Sequence, residues 1–553
     1  MDDSKITPQN KGVDQLLLKM GLANTASETT SVEGGVHASS TDKRKDAGGL
    51  DLRHVDLGKI ITDPVAVELV PEAMARKYLV LPLTFEGDYL ILTMADPGDM
   101  EALESVALQT KKKLKPVKGE PDDIKRAIDL YYRAGVEIDK QVAKLPLENN
   151  QQDNENKGDG RLPAIVAQTP VARIVELLIE QAVKDRASDI HIEPQENGLD
   201  VRCRVDGLLQ LAASLPISLH PALVSRIKVL AGMNIAERRR PQDGQFSSRV
   251  GGKDIDVRVA TSESFCGEMM VLRILDKSVS LFDLSELGFM AGSLDKYKKL
   301  LSRKFGLILV SGPTGSGKTT TLYASINTMD RKHQNIVTVE DPIEYRFQGI
   351  NQMQVNNKAG MNFAIGLRAI MRLDPNVILV GEIRDTETAK MAVQAALTGH
   401  LVLSTIHAND TAAVLLRLLD LEIEPFLIWS AIAGVVAQRM LRRICPHCQI
   451  PYEPTLEERI AYEQETGEIG QFTQGEGCNF CGNTGYRGRV GVYEIMPMSD
   501  EIGALILSRS GVKNIRTLAL KEGMISMRRD GMLKVKQGIT TPSEVMRNVF
   551  HSQ

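Results

Sequence analysis

The chain has 553 residues, of which 42% are hydrophobic, 25% charged and 4% aromatic, with a net charge of −4. That length exceeds what a single hydrophobic core fills, so roughly three or four folding units are expected. The near-neutral balance excludes a global electrostatic drive toward nucleic acid or an anionic membrane, and any such contact must be local.

The N-terminus, Met1-Asp-Asp-Ser-Lys-Ile-Thr7, lacks the apolar core of a signal peptide, so a cytoplasmic protein is expected. Residues 25–49 are rich in Ser, Thr, Gly and charge, and residues 1–50 read as a flexible segment. A compact unit is expected over 51–135, with a strand at Tyr89-Leu-Ile-Leu-Thr-Met94 and a closing helix over 122–132. The polar tract within 143–161 makes 136–162 a second linker. From 163 to 285 the pattern is α+β: helical periodicity over 171–187, then strands at 190–192, 199–205, 253–259 and 269–275.

From about residue 300 the pattern alternates. Short apolar strands are expected at 307–310, 335–339, 377–380 and 401–405, and helical stretches follow the first, third and fourth. This is the signature of a mostly parallel α/β sheet covered on both faces. The uncharged run over 425–438 falls short of the ~20 residues that span a bilayer and reads as a buried helix.

Gly312, Pro313, Thr314, Gly315, Ser316, Gly317, Lys318 and Thr319 complete a G-x-x-x-x-G-K-[ST] phosphate loop, with Thr320 next and a buried strand before it. Its glycines let backbone N–H groups turn toward a polyphosphate, Lys318 reaches the β- and γ-phosphates, and Thr319 offers a hydroxyl to Mg²⁺. ATP and Mg²⁺ are therefore the expected ligands. Carboxylates at neighbouring strand ends complete such a site. Asn376-Val-Ile-Leu-Val-Gly-Glu382 offers Glu382 as the Mg²⁺-side acid acting through a water, displaced one place by Gly381. Val339-Glu-Asp-Pro-Ile-Glu-Tyr345 carries three acids that need a metal, a base role or cationic partners, and Glu344 is the candidate for orienting the attacking water; an acidic surface loop is the plainer alternative.

His400 and His407 flank one short strand, about 20 Å apart or more when extended, so they cannot share a metal; each is either a phosphate-sensing group or a hydrogen-bonded structural histidine. Cys445-Pro-His-Cys448 and Cys478-Asn-Phe-Cys481 are separated by 29 residues, longer than the usual spacing, yet two knuckles point to a tetrahedral Zn²⁺ site within a module over about 441–492. Redox-active pairs are the alternative, without a thioredoxin-like context. Cys203 and Cys266 lie in strand-like stretches and read as inert core thiols. Arg273 interrupts an apolar run, where a buried guanidinium would need an anion; Arg258 could be an ordinary solvent-face residue; Arg368 and Arg372, four apart, share one helical face before the Glu382 strand; all are candidates for phosphate or subunit-interface charge.

Taken together, the ordered motifs Ala187-Ser-Asp-Ile-His-Ile-Glu-Pro194, Arg240-Pro-Gln-Asp-Gly244, the phosphate loop, Val337-Thr-Val-Glu-Asp-Pro-Ile-Glu344, Leu367-Arg-Ala-Ile-Met-Arg-Leu-Asp-Pro375, Val380-Gly-Glu-Ile-Arg-Asp385, the two histidines and the cysteine quartet resemble the assembly-type secretion ATPases, the GspE/PilB group of type II secretion and type IV pilus extension. The resemblance covers about 51–553. It implies a RecA-like P-loop ATPase domain (286–553) with a zinc-ribbon-like module and a helical C-terminal part. Before it come a PAS-like α+β domain (163–285) and a small N-terminal domain (51–135) that docks a cytoplasmic or membrane-anchored partner. It further implies a homohexamer that hydrolyses Mg-ATP at the cytoplasmic face of the inner membrane, peripheral to it through partners, and drives assembly of pilin-like subunits through an inner-membrane platform protein. Under the same resemblance Arg258 and Arg273 reach phosphates from the PAS-like domain, and Arg368 and Arg372 match the arginines before the Glu382 strand. Ala408 stands where the family usually has Thr, and Gln245 where Arg is common; neither touches the phosphate loop or Glu382. The region before 51 lacks the Arg-Leu-Gly repeats of relatives that bind cyclic di-GMP, so that ligand is not expected. A nucleic-acid translocase on the same sheet would need a basic, aromatic-studded channel, and with 4% aromatics and only short basic tracts such as Arg238-Arg-Arg240, no nucleic-acid partner is expected. A nucleotide-gated scaffold without hydrolysis is opposed by the joint presence of Lys318, Glu344 and Glu382.

Overall fold

The computed structural model describes residues 62–132, 169–276 and 283–549, together with residues 55, 57, 58, 60, 138, 141 and 142. The expected linkers lie outside the described residues. Two compact units divide between Tyr132 and Arg133.

The first unit runs α1 (Pro64–Glu68), α2 (Glu72–Tyr78), β1 (Val80–Glu86), β2 (Tyr89–Met94), α3 (Met100–Thr110), β3 (Lys113–Lys118) and α4 (Pro121–Tyr131). β2 is the centre of a three-stranded sheet, antiparallel to β1 and parallel to β3. Asp99 caps α3 by accepting the Ala102 N–H at 3.0 Å, and Pro121 opens α4 where its missing N–H costs nothing. Leu81, Leu90, Leu92, Val106, Ile124 and Ile128 form the buried interior.

The second unit opens with α5 (Thr169–Lys184), β4 (Asp189–Gln195), β5 (Gly198–Val205), β6 (Leu208–Leu215), α6 (His220–Leu230), β7 (Gln242–Val250), β8 (Lys253–Ser264) and β9 (Gly267–Asp276). All six strands are antiparallel in the order β6-β5-β4-β9-β8-β7, and α5 and α6 cover one face over a core of Ile174, Leu178, Val201, Leu223, Val257 and Leu272. The four central strands are the ones the sequence announces. The edge strands β6 and β7 escaped because their residues are mostly exposed or half-buried, so they lack an apolar alternation.

Next come α7 (Ala291–Leu301), β10 (Gly306–Ser311), α8 (Lys318–Asn327), β11 (Ile336–Glu340), β12 (Asn351–Gln354), α9 (Phe363–Ile370), β13 (Val377–Val380), α10 (Thr386–Leu397), β14 (Leu401–Ile406), α11 (Thr411–Asp420), α12 (Pro425–Ala431) and β15 (Ile432–Ile444). After β16 (Gln449–Pro451), α13 (Leu456–Thr466) and β17 (Thr473–Gly475), β18 (Tyr486–Pro497) returns to the main sheet. Four helices follow: α14 (Asp500–Leu507), α15 (Val512–Lys521), α16 (Met527–Lys536) and α17 (Pro542–Val549). The sheet order is β12-β11-β13-β14-β10-β15-β18, parallel except for β18 against β15. β10, β11, β13 and β14 are buried throughout, with separate apolar clusters on the two faces.

One expectation is corrected here. The run over 425–438 is helical only to Ala431; from Ile432 it is β15, pairing with β10 and β18. Every residue from 432 to 439 is buried, so neither helical nor strand periodicity shows in an apolar run.

Candidate functional site

β10 delivers the phosphate loop to the C-terminal edge of the parallel sheet, and the Ser311 hydroxyl ties its end to the Ala408 carbonyl at 2.7 Å. Gly312 adopts φ 149°, and a Cβ there would lie 2.5 Å from the Gln438 carbonyl, so the loop passes β15 only as glycine. Gln438 braces the loop from below: its amide donates to the Ser316 carbonyl at 2.6 Å and its oxygen accepts the Thr321 hydroxyl at 2.9 Å. Lys318 opens α8, and its ammonium donates to the carbonyls of Gly312 and Pro313 at 2.8 and 3.1 Å. Burial lowers its pKa, opposed by Glu382 and assisted by Arg439, so the group is a cation short of negative charge. Thr319 and Thr320 are exposed at the loop's mouth.

Glu382 stands two residues past β13, its carboxylate 15% exposed, 2.5 Å from the Arg384 guanidinium and 3.6 Å from His407 Nε2. Gly381 permits this placement, since a Cβ there would meet Phe363 at 3.2 Å and the Glu340 backbone at 3.4 Å. His407 has its pKa lowered by burial and then by Lys318, with Glu382 opposing, which favours the neutral ring. The loop's first residues, Gly312 and Pro313, face His407, Ala408, Asn409 and Arg417 across a cleft of about 450 Å³.

The acid cluster divides its work. Glu340 is buried and saturated by neutral donors: the Tyr323 hydroxyl, the Thr338 hydroxyl at 2.6 Å and the Gln352 amide at 3.1 Å. Glu344 meets a cation instead. Arg258, on β8, approaches its two oxygens at 3.0 and 2.8 Å, with the side chains 26% and 28% exposed.

Several expected site residues lie elsewhere. Arg273 is not buried but 59% exposed, because β9 alternates and the residue falls on the face away from the core; it reaches the buried Asp189 at 3.0 Å and sits opposite Arg258 in register. Arg368 is exposed and pairs with Glu387 at 3.2 Å. Arg372 lies beyond the end of α9 in a turn, so the two do not share a helical face. His400 precedes β14, at the end opposite the phosphate loop, with Nδ1 2.9 Å from the Ala395 carbonyl, which is the structural alternative. Cys203 is buried in β5, its thiol pushed up to about 12 by burial, whereas Cys266 is half-buried in the turn between β8 and β9 and is not a core thiol.

Sequence reasoning missed Gln438 and Arg439, since a helix over 425–438 hid their strand. Arg439 is 8% exposed, donates to Asn409 Oδ1 at 3.3 Å, and has its pKa lowered by burial against the pull of Asp410. The reading of Glu340 as one of three acids needing a metal, a base role or cationic partners also missed its hydroxyl and amide donors.

The cysteine quartet is a separate centre. The four sulfurs lie within 4.8 Å of one another, with Cys445–Cys478 at 3.8 Å, Cys448–Cys481 at 3.9 Å and Cys478–Cys481 at 3.7 Å. A tetrahedron with Zn–S bonds of about 2.3 Å has edges of about 3.8 Å, whereas a disulfide closes to about 2.05 Å. The donor set therefore fits Zn²⁺. The Cys481 sulfur is held below the usual thiol range by the Cys445 thiol and by the backbone N–H groups of Cys478 and Gly485, at 3.2 and 3.3 Å, which favour a thiolate.

The family described as type II/IV secretion system protein matches residues 165–547, and the MshEN domain matches residues 50–138, an assignment absent from the reading of 51–135. The chain is 40% identical over 501 residues to the type IV pilus assembly ATPase PilB of Myxococcus xanthus, covering 89% of this chain and 88% of that protein. It is 47% identical over 378 residues to the type II secretion system ATPase E of Vibrio cholerae, covering 68% and 75% respectively. The structure of the Legionella pneumophila ATPase DotB matches 68% of this chain and 95% of its own with a TM-score of 0.51 at 22% identity, a likeness of fold, and that fold is RecA-like. Among the described residues no helix is long and apolar enough to cross a membrane. With the phosphate loop, the Glu382 strand and the Arg258–Glu344 contact in place, the chain belongs to the type II/IV secretion system protein family, the secretion and pilus-assembly ATPases.

Proposed function

We propose that this chain is a ring-forming motor that hydrolyses Mg-ATP to add pilin-like subunits to a fibre, through an inner-membrane platform protein. The observation that carries this reading is the convergence of Lys318, Glu382, His407 and the Arg258–Glu344 pair at one end of the parallel sheet. Lys318 and the loop's N–H groups bind the β- and γ-phosphates, offsetting the charge deficit that burial imposes on the ammonium. Glu344 orients the attacking water, and Arg258 lies beside it to meet charge on the transferred phosphoryl group. Neutral His407 accepts or donates one hydrogen bond next to Glu382 and reports the state of the γ-phosphate to α11. Thr319 and, through a water, Glu382 would hold Mg²⁺, which would supply charge neutralisation between the phosphates.

Because Arg258 belongs to the six-stranded sheet and Glu344 to the loop that follows β11 of the parallel one, phosphate release changes the charge at their contact and lets the two sheets turn against each other. That turning is the power stroke, and six copies around a ring deliver it to the platform. The MshEN-matched unit docks the motor on a partner at the inner face of the inner membrane. Cys445, Cys448, Cys478 and Cys481 hold Zn²⁺, which cross-links the ends of the inserted module and takes no part in hydrolysis.

The test is Mg²⁺-dependent phosphate release by purified protein across a concentration series, with Glu344→Gln alongside. Activity that rises steeply with assembly and vanishes in Glu344→Gln supports the motor; flat activity that ignores the substitution overturns it. In cells, Lys318→Ala that still assembles fibres or secretes would refute the motor role.

A further inference from the structure

The hydroxyl of Tyr323 is used in both directions. Tyr323 lies on α8, five residues after Lys318, with 1% of its surface exposed. Its O–H donates to Glu340 Oε2, and its oxygen accepts the backbone N–H of Glu344 at 3.2 Å. An ionised carboxylate is an acceptor only, so the Glu340 side chain fixes the direction of the phenolic hydrogen and leaves a lone pair for Glu344. Burial and the nearby Glu340 raise the phenol's pKa, which keeps that hydrogen in place. The ring stands edge-on to Tyr345 and Phe347, with centroids 6.0 and 5.0 Å away, so the segment on either side of Glu344 leans on Tyr323. Gln352 on β12 completes the brace: its amide donates to Glu340 and to the Tyr345 carbonyl, at 3.1 and 2.9 Å, and its oxygen accepts the Phe347 N–H at 2.9 Å.

We infer that Tyr323 is a positioning residue for hydrolysis: its hydroxyl, oriented by Glu340, anchors the backbone of Glu344 to the helix whose N-terminus binds the phosphates. The helix that holds the nucleotide and the carboxylate that aims the water are thereby one rigid piece. This inference rests on the reading of Glu344 as the water-orienting group.

The experiment uses the full chain with ATP and Mg²⁺, measuring kcat and KM together with thermal stability. Tyr323→Phe removes the hydroxyl alone and should lower kcat about tenfold with KM for ATP changed less than about twofold, because the contacts that shape the phosphate loop do not involve this hydroxyl. Removing the hydroxyl also strips a donor from a buried carboxylate, so some stability is lost for a purely structural reason. The double variant Tyr323→Phe/Glu340→Gln removes that buried charge but cannot restore an acceptor for the Glu344 N–H. It should regain thermal stability and stay slow.

A Tyr323→Phe enzyme within twofold of the parent kcat overturns the inference, and so does a double variant whose kcat returns with its stability. If Glu344→Gln is inactive while Tyr323→Phe is fully active, the positioning role alone fails. If Glu344→Gln keeps the parent rate, the reading of Glu344 fails and takes this inference with it.

Discussion

Arg258 cannot serve Glu344 and a phosphate equally well, and this competition predicts opposite effects from its two ends. In the structure the guanidinium is engaged by Glu344 at 3.0 and 2.8 Å, with roughly a quarter of each side chain exposed. A fully exposed pair contributes about 0.2–1 kcal/mol, and breaking a fully buried one costs about 3–5 kcal/mol. A pair with this exposure lies near the lower of these ranges, at about 1–1.5 kcal/mol, once solvent screening is allowed for. Neutralising Glu344 releases Arg258 to the nucleotide, so Glu344→Gln should bind ATP about 5- to 12-fold more tightly, at about 1.4 kcal/mol per factor of ten, while losing hydrolysis. Arg258→Ala should do the reverse, weakening ATP binding by a similar factor and slowing turnover. Arg258→Lys should restore only part of the affinity, because an ammonium cannot span two oxygens. Equilibrium titration with a fluorescent ATP analogue, at fixed Mg²⁺ and moderate salt, measures all three. Glu344→Gln binding no tighter than the parent would refute the competition, whatever its rate.

Three further outcomes are expected. Zinc analysis should give one Zn²⁺ per chain; a chelator should release it and open the cysteine module to proteolysis while ATP binding persists, and loss of ATP binding by a still-folded protein would contradict a structural role. Lys534→Met should destabilise the C-terminal helices by about 3–5 kcal/mol, because Lys534 and Asp530 form an ion pair at 2.5 Å with each side chain 1% exposed, and the substitution leaves Asp530 a buried anion. Burial already raises the Asp530 pKa, so its contribution to stability is fully present below the unfolded carboxyl value and is lost as pH rises through the folded one; the deficit of Lys534→Met, followed by thermal melts, should therefore shrink on acidification. His407 has the opposite sign: burial depresses its pKa, so the stability tied to its neutral form is present above the ordinary imidazole value and is lost as pH falls through the folded one, and His407→Gln should flatten the acid limb of the ATPase pH profile.

The parts of the site that depend on local chemistry were legible in the sequence. A phosphate loop needs glycine where the backbone crowds a neighbour, as at Gly312, and a tetrahedral sulfur cage needs paired knuckles, and both follow from residue type and spacing. The pairings were not legible, because they join distant segments: Arg258 and Glu344 are 86 residues apart, and Gln438 and Ser316 are 122 apart. Arg273 misled because a charge within an apolar run looks buried, although strand alternation carries it to the open face. The start of β15 misled for the converse reason, since an all-apolar segment reports burial and conceals its period. His400 and His407 look equivalent on paper. Only the polarity of a parallel sheet, whose loops at one end bind ligands, separates them.

The pairing of β15 with β18 has an architectural consequence. Ile444 and Tyr486 face each other across this antiparallel ladder, and everything from Cys445 to Gly485 emerges between them. In topological terms the cysteine module is the decorated tip of a β-hairpin. A motor of the same design could exchange it for a tight turn with no change in the order of strands. The seven steps from Gln438 to Cys445 reach about 23 Å along a stiff strand. The brace beneath the phosphate loop and the root of the tip are therefore opposite ends of a single spoke, and a push on one end arrives at the other.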